Sequence, residues 1–481
     1  MSLKSKVANG LKWSFIETIG IRLFSVSTYF ILARLLDPTA FGLVALTNTF
    51  IFFSEIFIEQ GFVAALVQKK ELNNQHLYSA FWGNLAMGVL LFGLTVVGAP
   101  LVASLYKEPV LADILRVHAV TYIISSFSKV QLAILQRDLK FKKIAIARTT
   151  ATIISCSVSI VLAVLGYGVW SLVFQQIIFN LLQTLIIWAT NRWVPTLSFS
   201  WMHYKSIFSY GSKTMLNRFT HYMIRYTDSL LIGFFLGTSI LGYYSFAKKI
   251  VITLTDLLGL TFNKVTFSVF AMLQDQQKML ARKFHVFIDL MATLSFPLFA
   301  GSFIFIPHLL PLFFGDKWDA SIPIIQILSI AGVFTCFYSC LNSLFGGIGR
   351  VGLNLKIKFM FLIINLILTY VAVQFSVEWV AVSYVLSLTI TLIVLVSYVR
   401  NFITINSKLY LITIAKPLFF SVLIAILVQL SSYTVDNTTL PFRMLQILAG
   451  IVLYTGYLIV LKPGFLQEVK SLSKRKSVKT V

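Results

Sequence analysis

Hydrophobic positions in this chain neither alternate nor form narrow stripes. They come in runs of about 20 residues, the length that crosses ~30 Å of hydrocarbon at 1.5 Å per residue. Inside such a layer water cannot satisfy backbone N–H and C=O groups, so each run is expected to be a helix. Reading along the chain gives fourteen runs: 13–36, 41–67, 79–105, 114–135, 144–165, 169–190, 208–236, 241–270, 284–314, 322–346, 355–375, 377–399, 411–430 and 440–460. Only residues 166–168 and Ser376 separate two of the neighbouring pairs. The first run follows Lys4 and Lys6, is too long for a cleaved signal and has no small-residue cleavage site behind it. The expected fold class is therefore all-α, a polytopic membrane protein of about fourteen transmembrane helices.

Composition agrees. Hydrophobic residues make up 58% of the chain and charged residues 12%, about half the charge of an ordinary soluble protein. A net charge of +23 would suggest nucleic acid in a soluble chain, but its distribution excludes that partner. With the N-terminus inside, one set of alternate loops holds Lys4, Lys6 and Lys12; Lys69 and Lys70; Arg137, Lys140, Lys142, Lys143 and Arg148; and Lys278, Arg282 and Lys283, with similar clusters beyond. The opposite set holds only Arg34, Lys107, Arg116, Lys317 and Arg443. This positive-inside bias puts both termini in the cytoplasm. A basic tail, 463–481, is then expected to lie along anionic lipid headgroups. Cys156, Cys336 and Cys340 fall in apolar runs without metal-ligand partners at useful spacing, so they read as small buried residues and no metal is expected.

The chain also repeats itself. Residues 30–45 read FILARLLDPTAFGLVA, and aligning Gly42 with Gly242 places Leu36 on Leu236 and Phe41 on Leu241. Gly10 and Gly211 fall near the same offset, each just before a long apolar run. An even number of helices separates the copies, so both enter the membrane in the same direction, as in transporters built from parallel repeats. The expected organisation is two six-helix lobes, 1–200 and 201–405, then two additional helices in 406–462 and the tail 463–481.

Charges inside the runs are the candidate chemistry, because a central Arg, Lys or Asp costs roughly 2.5–3.5 kcal/mol on insertion and needs a partner or a wet cavity. The seventh run carries Arg218, His221, Arg225 and Asp228, within an arc of about 80° at 100° per residue. The eighth carries Lys248, Lys249 and Asp256; the first carries Glu17 and Arg22; the second carries Glu55 and Glu59, one turn apart. Pairs such as Arg225 with Asp228 can be structural. Alternatively, Arg22, Arg218, Arg225, Lys248 and Lys249 are cations that receive an anionic substrate. Glu17, Glu55, Glu59, Asp228 and Asp256 are then the candidates for coupling to an ion gradient, H+ or Na+, with no other cofactor. Gly347, Gly349 and Gly352 match a dinucleotide-binding pattern, but without a βαβ unit they read as a helix connection. Pro297, Pro307 and Pro311 are expected to kink or end the ninth run.

Several local patterns together resemble a known family. They are Ala33-Arg34-Leu35-Leu36-Asp37-Pro38 with Phe41-Gly42, Gly61-Phe62 with Leu66-Val67-Gln68, and Gln136-Arg137-Asp138-Leu139-Lys140-Phe141. In the repeat copy they are Asp228 to Gly233, Leu241-Gly242-Tyr243-Tyr244 and Ala247-Lys248. The chain resembles the multidrug/oligosaccharidyl-lipid/polysaccharide exporter superfamily, and within it the Wzx-type flippases of the colanic acid exporter branch. The resemblance implies a central cavity, alternating access and export of undecaprenyl-diphosphate-linked oligosaccharide repeat units. It also implies partners beyond that substrate, namely membrane lipids, a polysaccharide polymerase and chain-length or export proteins. Related lipid II flippases carry basic residues on their first, second and eighth helices. Arg22 and Lys248 match, whereas the second run here has Glu55 and Glu59. The competing reading within the superfamily is a cation-coupled drug exporter, for which an acidic or apolar cavity is expected. A membrane enzyme is disfavoured: the outer loops are short, the longest about 431–439, and no nucleophile–base pair stands out.

Overall fold

A computed structural model describes residues 3–403, 407–434 and 440–462, so the basic tail, 463–481, lies outside the described residues. The helices are α1 Leu3–Leu35, α2 Pro38–Glu59, α3 Phe62–Gln68, α4 Asn74–Leu105, α5 Pro109–Arg137, α6 Phe141–Val164 and α7 Val169–Thr190. They continue with α8 Trp201–Leu236, α9 Thr238–Met272, α10 Gln277–Phe314, α11 Ile322–Gly347, α12 Val351–Ala372, α13 Val377–Val399, α14 Ser407–Thr434 and α15 Leu440–Leu461. Among the described residues twelve spans are long and apolar enough to cross a membrane. The remaining two expected spans are α8 and α9, of 36 and 35 residues, which carry the charged positions.

Two local expectations need correcting. The second run is broken: α2 ends at Gln60 and Gly61, both with positive φ (45° and 68°), and α3 starts afresh. Gly61 adopts this conformation without steric cost, whereas Gln60 is held there by its fold. Gly10 and Gly211 lie inside α1 and α8 rather than before them, because both helices begin in amphipathic sequence that a hydropathy count does not see. Pro297, Pro307 and Pro311 lie inside α10, which runs through all three, so of the two expected outcomes the second, ending the helix, does not occur. Gly349, with φ 74°, sits in the turn between α11 and α12, as the helix-connection reading requires.

Proline and side-chain caps set the helix starts. Pro38 and Pro109 occupy the first turns of α2 and α5, where a missing N–H is harmless. The Asn73 side chain accepts the His76 backbone N–H at 3.1 Å and opens α4.

Packing groups the chain into two compact units. The first comprises Met1–Ser245 with Phe313–Lys317. Its hub is α5, which packs on α4, α7, α2, α3 and α6. Phe81 anchors this core against Trp82, Phe127, Trp188 and Trp193. The second unit comprises Phe246–Leu312 and Trp318–Val481. There α13 packs on α11 and α12, Cys336 and Cys340 are buried, and Trp318 is fully enclosed with its ring 4.0 Å from that of Phe246. The last helix is fastened to α10: Tyr454 Oη donates to the Thr293 carbonyl at 2.8 Å, and Lys462 Nζ, just beyond α15, meets Asp289. Apolar cavities of about 980 Å³ and 540 Å³ flank α14, the larger lined by Phe296, Phe337, Leu392, Ile414 and Leu418 with Arg400 among them.

Candidate functional site

The charged face of α8 is built by what its other faces do. Tyr222 Oη donates to the Thr49 carbonyl of α2 at 2.9 Å, and Tyr226 stacks on Phe52 with ring centroids 5.5 Å apart. These contacts fix the rotation of α8 against α2. Arg218, His221 and Arg225 are consequently left exposed along one side of α8. The Arg225 guanidinium lies 5.8 Å from the Tyr226 ring centroid. Asp228, at the edge of the sequence-derived arc, departs from the others. It is 3% exposed, and its carboxylate accepts from the Tyr244 hydroxyl at 2.7 Å and the Ser229 N–H at 2.8 Å. A buried carboxylate needs donors, and these tie α8 to the start of α9 within the first unit.

The acidic candidates separate in the same way. Glu17 on α1 pairs with Arg148 on α6 at 3.1 Å, and Glu59 on α2 is held by Arg218. Glu55, half-buried, has no hydrogen bond or ion pair among the described residues. The expected like-charged pair of Glu55 and Glu59 is therefore not symmetric, because a cation from α8 takes one member. Arg22 is half-buried on α1. Lys248 and Asp256, half-buried, and Lys249, exposed, lie on α9 beyond Ser245 and belong to the second unit.

Two features escaped the sequence reading. A Cβ added at Gly42 would stand 1.7 Å from the Thr238 carbonyl oxygen, and one added at Gly242 would stand 1.9 Å from that of Pro38. Pro38 and Thr238 occupy equivalent places in the repeat, so the α1–α2 and α8–α9 turns meet reciprocally, backbone against backbone. The repeated glycines were the signal, read as internal similarity rather than as contact. Thr238 Oγ1 also donates to Glu108, and Lys317 Nζ donates to the carbonyls of Arg34 and Leu36 at 3.0 and 2.7 Å at this same end. Second, Arg137 closes the C-terminus of α3. Its guanidinium donates to the carbonyls of Leu66, Lys69 and Lys70 at 2.8, 2.6 and 3.2 Å. A basic loop residue that also belongs to one of the family-like patterns thus satisfies orphaned helix-end acceptors.

Comparison with known proteins agrees with this architecture. Residues 31–323 match the family profile described as "Polysaccharide biosynthesis protein". The chain is similar to the teichuronic acid biosynthesis protein TuaB of Bacillus subtilis (strain 168), 25% identical over 474 residues, covering 96% of this chain and 97% of that protein. It is also similar to the lipopolysaccharide biosynthesis protein WzxC of Escherichia coli (strain K12), 24% identical over 358 residues, covering 74% of this chain and 73% of that one. Among solved structures, the lipid II flippase MurJ in an inward closed conformation superposes with a TM-score of 0.80 at 16% identity, covering 95% of this chain and 100% of that one. At that identity the likeness concerns the fold.

Proposed function

Because the chain belongs to the polysaccharide biosynthesis protein family, we propose that it is a flippase for undecaprenyl-diphosphate-linked oligosaccharides. It carries them from the cytoplasmic to the outer leaflet by alternating access of its two repeat lobes. The observation that carries this reading is the exposed row of Arg218, His221 and Arg225 on α8, which is proposed to be the seventh membrane-spanning helix. Facing lipid, each central cation would cost roughly 2.5–3.5 kcal/mol, so the row faces water. Cations in a wet intramembrane site suit a diphosphate, for which Arg offers a bidentate fork and Lys a point charge. Arg22 of the first unit and Lys248 and Lys249 of the second are the further cations proposed to receive the headgroup during transport. The apolar cavities beside α14 provide room for a lipid chain. A drug exporter of the same fold would need no such row.

The test compares polysaccharide export with the amount of membrane-inserted protein for Arg22→Gln, Arg225→Gln and Lys248→Gln. Neutralising a wet cation should leave abundance near normal and lower export, with partial rescue by Arg22→Lys, Arg225→Lys or Lys248→Arg. Breaking a buried pair would instead cost about 3–5 kcal/mol and deplete the protein. Normal export by all three neutral variants overturns the headgroup assignment.

Orientation follows from the loop charges and is tested separately. Reporters fused after Gln68, Arg192 and Lys470 are expected to read cytoplasmic, and those after Lys107, Asp316 and Asp436 extracytoplasmic. A cytoplasmic reading at Asp316 rejects the arrangement.

A further inference from the structure

The interior of the first unit contains polar side chains that the cargo site does not use. His118 and Tyr122 on α5 and Asn84 on α4 are each 1% exposed or less. Both His118 ring nitrogens, the Tyr122 hydroxyl and both Asn84 amide atoms have no hydrogen-bond partner among the described residues. The Tyr122 hydroxyl is turned toward Ser54 of α2 and Thr95 of α4 but reaches neither with hydrogen-bond geometry. His118, Tyr122 and Ser126 follow one another at four-residue spacing on one face of α5, each step rising ~6 Å. The hydroxyls of Thr121, Ser125, Ser126 and Ser128, all buried, donate back into α5 and leave their lone pairs available. Next to this line runs α2, whose Ile51 and Ile58 cluster with Ala119 and Tyr122 and which carries Glu55 between them.

Leaving a buried polar group unmade costs about 1–3 kcal/mol, and several sit together here. The compensation proteins use for such groups is ordered water held by two to four polar partners. We propose that the first unit contains a hydrated proton path along α5, running from His118 past Tyr122 to Glu55, and that Glu55 is the carboxylate that takes up the proton. In the proposed orientation α5 begins at the outer surface, so His118 lies on the outer side of Tyr122 and the path admits protons from outside. The path depends on the orientation for its direction but not on the identity of the cargo.

The surrounding titratable groups are otherwise engaged. Glu59 is held by Arg218, and Glu17 by Arg148 of α6. On α4, His76 bonds Asn73 at the helix start and the Tyr106 hydroxyl donates to the Leu230 carbonyl at its end. On α6, Lys143 donates to the Thr190 carbonyl. From α8, Tyr222 donates to Thr49, Arg225 rests by Tyr226, and Asp228 is held by Tyr244. Helices α3 and α7 carry no titratable side chain. Lys129 and Arg137 lie further along α5, toward its C-terminal end. Glu55 is thus the carboxylate beside the line that no hydrogen bond or ion pair holds among the described residues.

Two measurements on the full chain test this. With Cys156, Cys336 and Cys340 replaced by serine, His118→Cys and Tyr122→Cys are treated with a small charged thiol reagent from outside. They should react about tenfold faster than Ala133→Cys, which sits in the dry core. Independently, and without substitutions in the path, dicyclohexylcarbodiimide should modify Glu55 in the purified protein, increasingly as pH falls. Glu55→Gln abolishes that adduct. Failure of both cysteines to react above the Ala133→Cys rate overturns the hydrated path. Modification of Glu55 that is independent of pH, or that sodium blocks at constant pH, overturns the proton and assigns the site to a metal cation. Neither readout involves cargo, so loss of the headgroup reading would leave both intact.

Discussion

Gly42→Ala is expected to reduce polysaccharide export severely while membrane-inserted protein falls much less. The alanine methyl would have to occupy space 1.7 Å from the Thr238 carbonyl oxygen, and the obstacle is backbone, not a side chain that can rotate away. The α1–α2 and α8–α9 turns must therefore separate. Overpacking of this kind costs typically about 1–3 kcal/mol. In an alternating-access cycle the cost falls on the state in which the turns touch, and every 1.4 kcal/mol shifts the population of that state about tenfold. Gly242→Ala should behave alike, because its methyl would stand 1.9 Å from the Pro38 carbonyl oxygen. The reciprocity makes a sharper forecast: once one methyl has pushed the turns apart, the second finds room. The double variant should accordingly be little worse than either single variant, a non-additivity expected of residues sharing one contact. Export and abundance measured for both single variants and the double variant decide it. Normal export by the single variants, or strictly additive losses, would reject the contact as part of the cycle.

Arg137→Ala should strongly deplete the protein from the membrane, and Arg137→Lys should not restore it fully. The guanidinium fork spans three carbonyls at the C-terminus of α3, at 2.6 to 3.2 Å. Hydrogen bonds from a charged donor contribute about 1.5–3 kcal/mol each, and lysine presents a point charge that cannot reproduce a planar fork. A purely topological role predicts the opposite for lysine, since loop orientation depends on positive charge and not on its shape. Immunodetection of membrane-inserted protein for wild type, Arg137→Ala and Arg137→Lys separates the two. Full recovery with lysine would show that the charge alone matters.

Much of the fold was legible along the chain because a bilayer constrains locally. An apolar run of sufficient length must be a helix whatever surrounds it, and that requirement is met residue by residue. Departures arose where local hydropathy is silent. The amphipathic starts of α1 and α8 do not raise an average, and the break at Gln60–Gly61 leaves the run apolar on both sides. The candidate site was less legible. A helical wheel placed Arg218, His221, Arg225 and Asp228 on one arc, yet the three basic residues are exposed and Asp228 is enclosed. The rotation of α8 that separates them is imposed by Tyr222 and Tyr226 on α2.

By itself, then, the sequence determined the all-α membrane class and the positions of most of the spans, since each depends on one segment and its solvent. Only the tertiary structure decided which charges are partnered. Glu17 is held by Arg148 and Glu59 by Arg218, pairs 131 and 159 residues apart, while Glu55 is not. Likewise only the fold turned Gly42 and Gly242 from a repeated letter into a contact, and Arg137 from a loop charge into a helix cap. Ion pairs and close approaches extend over a few ångströms of space, and spacing along the chain carries no record of which distant segments are brought within that reach.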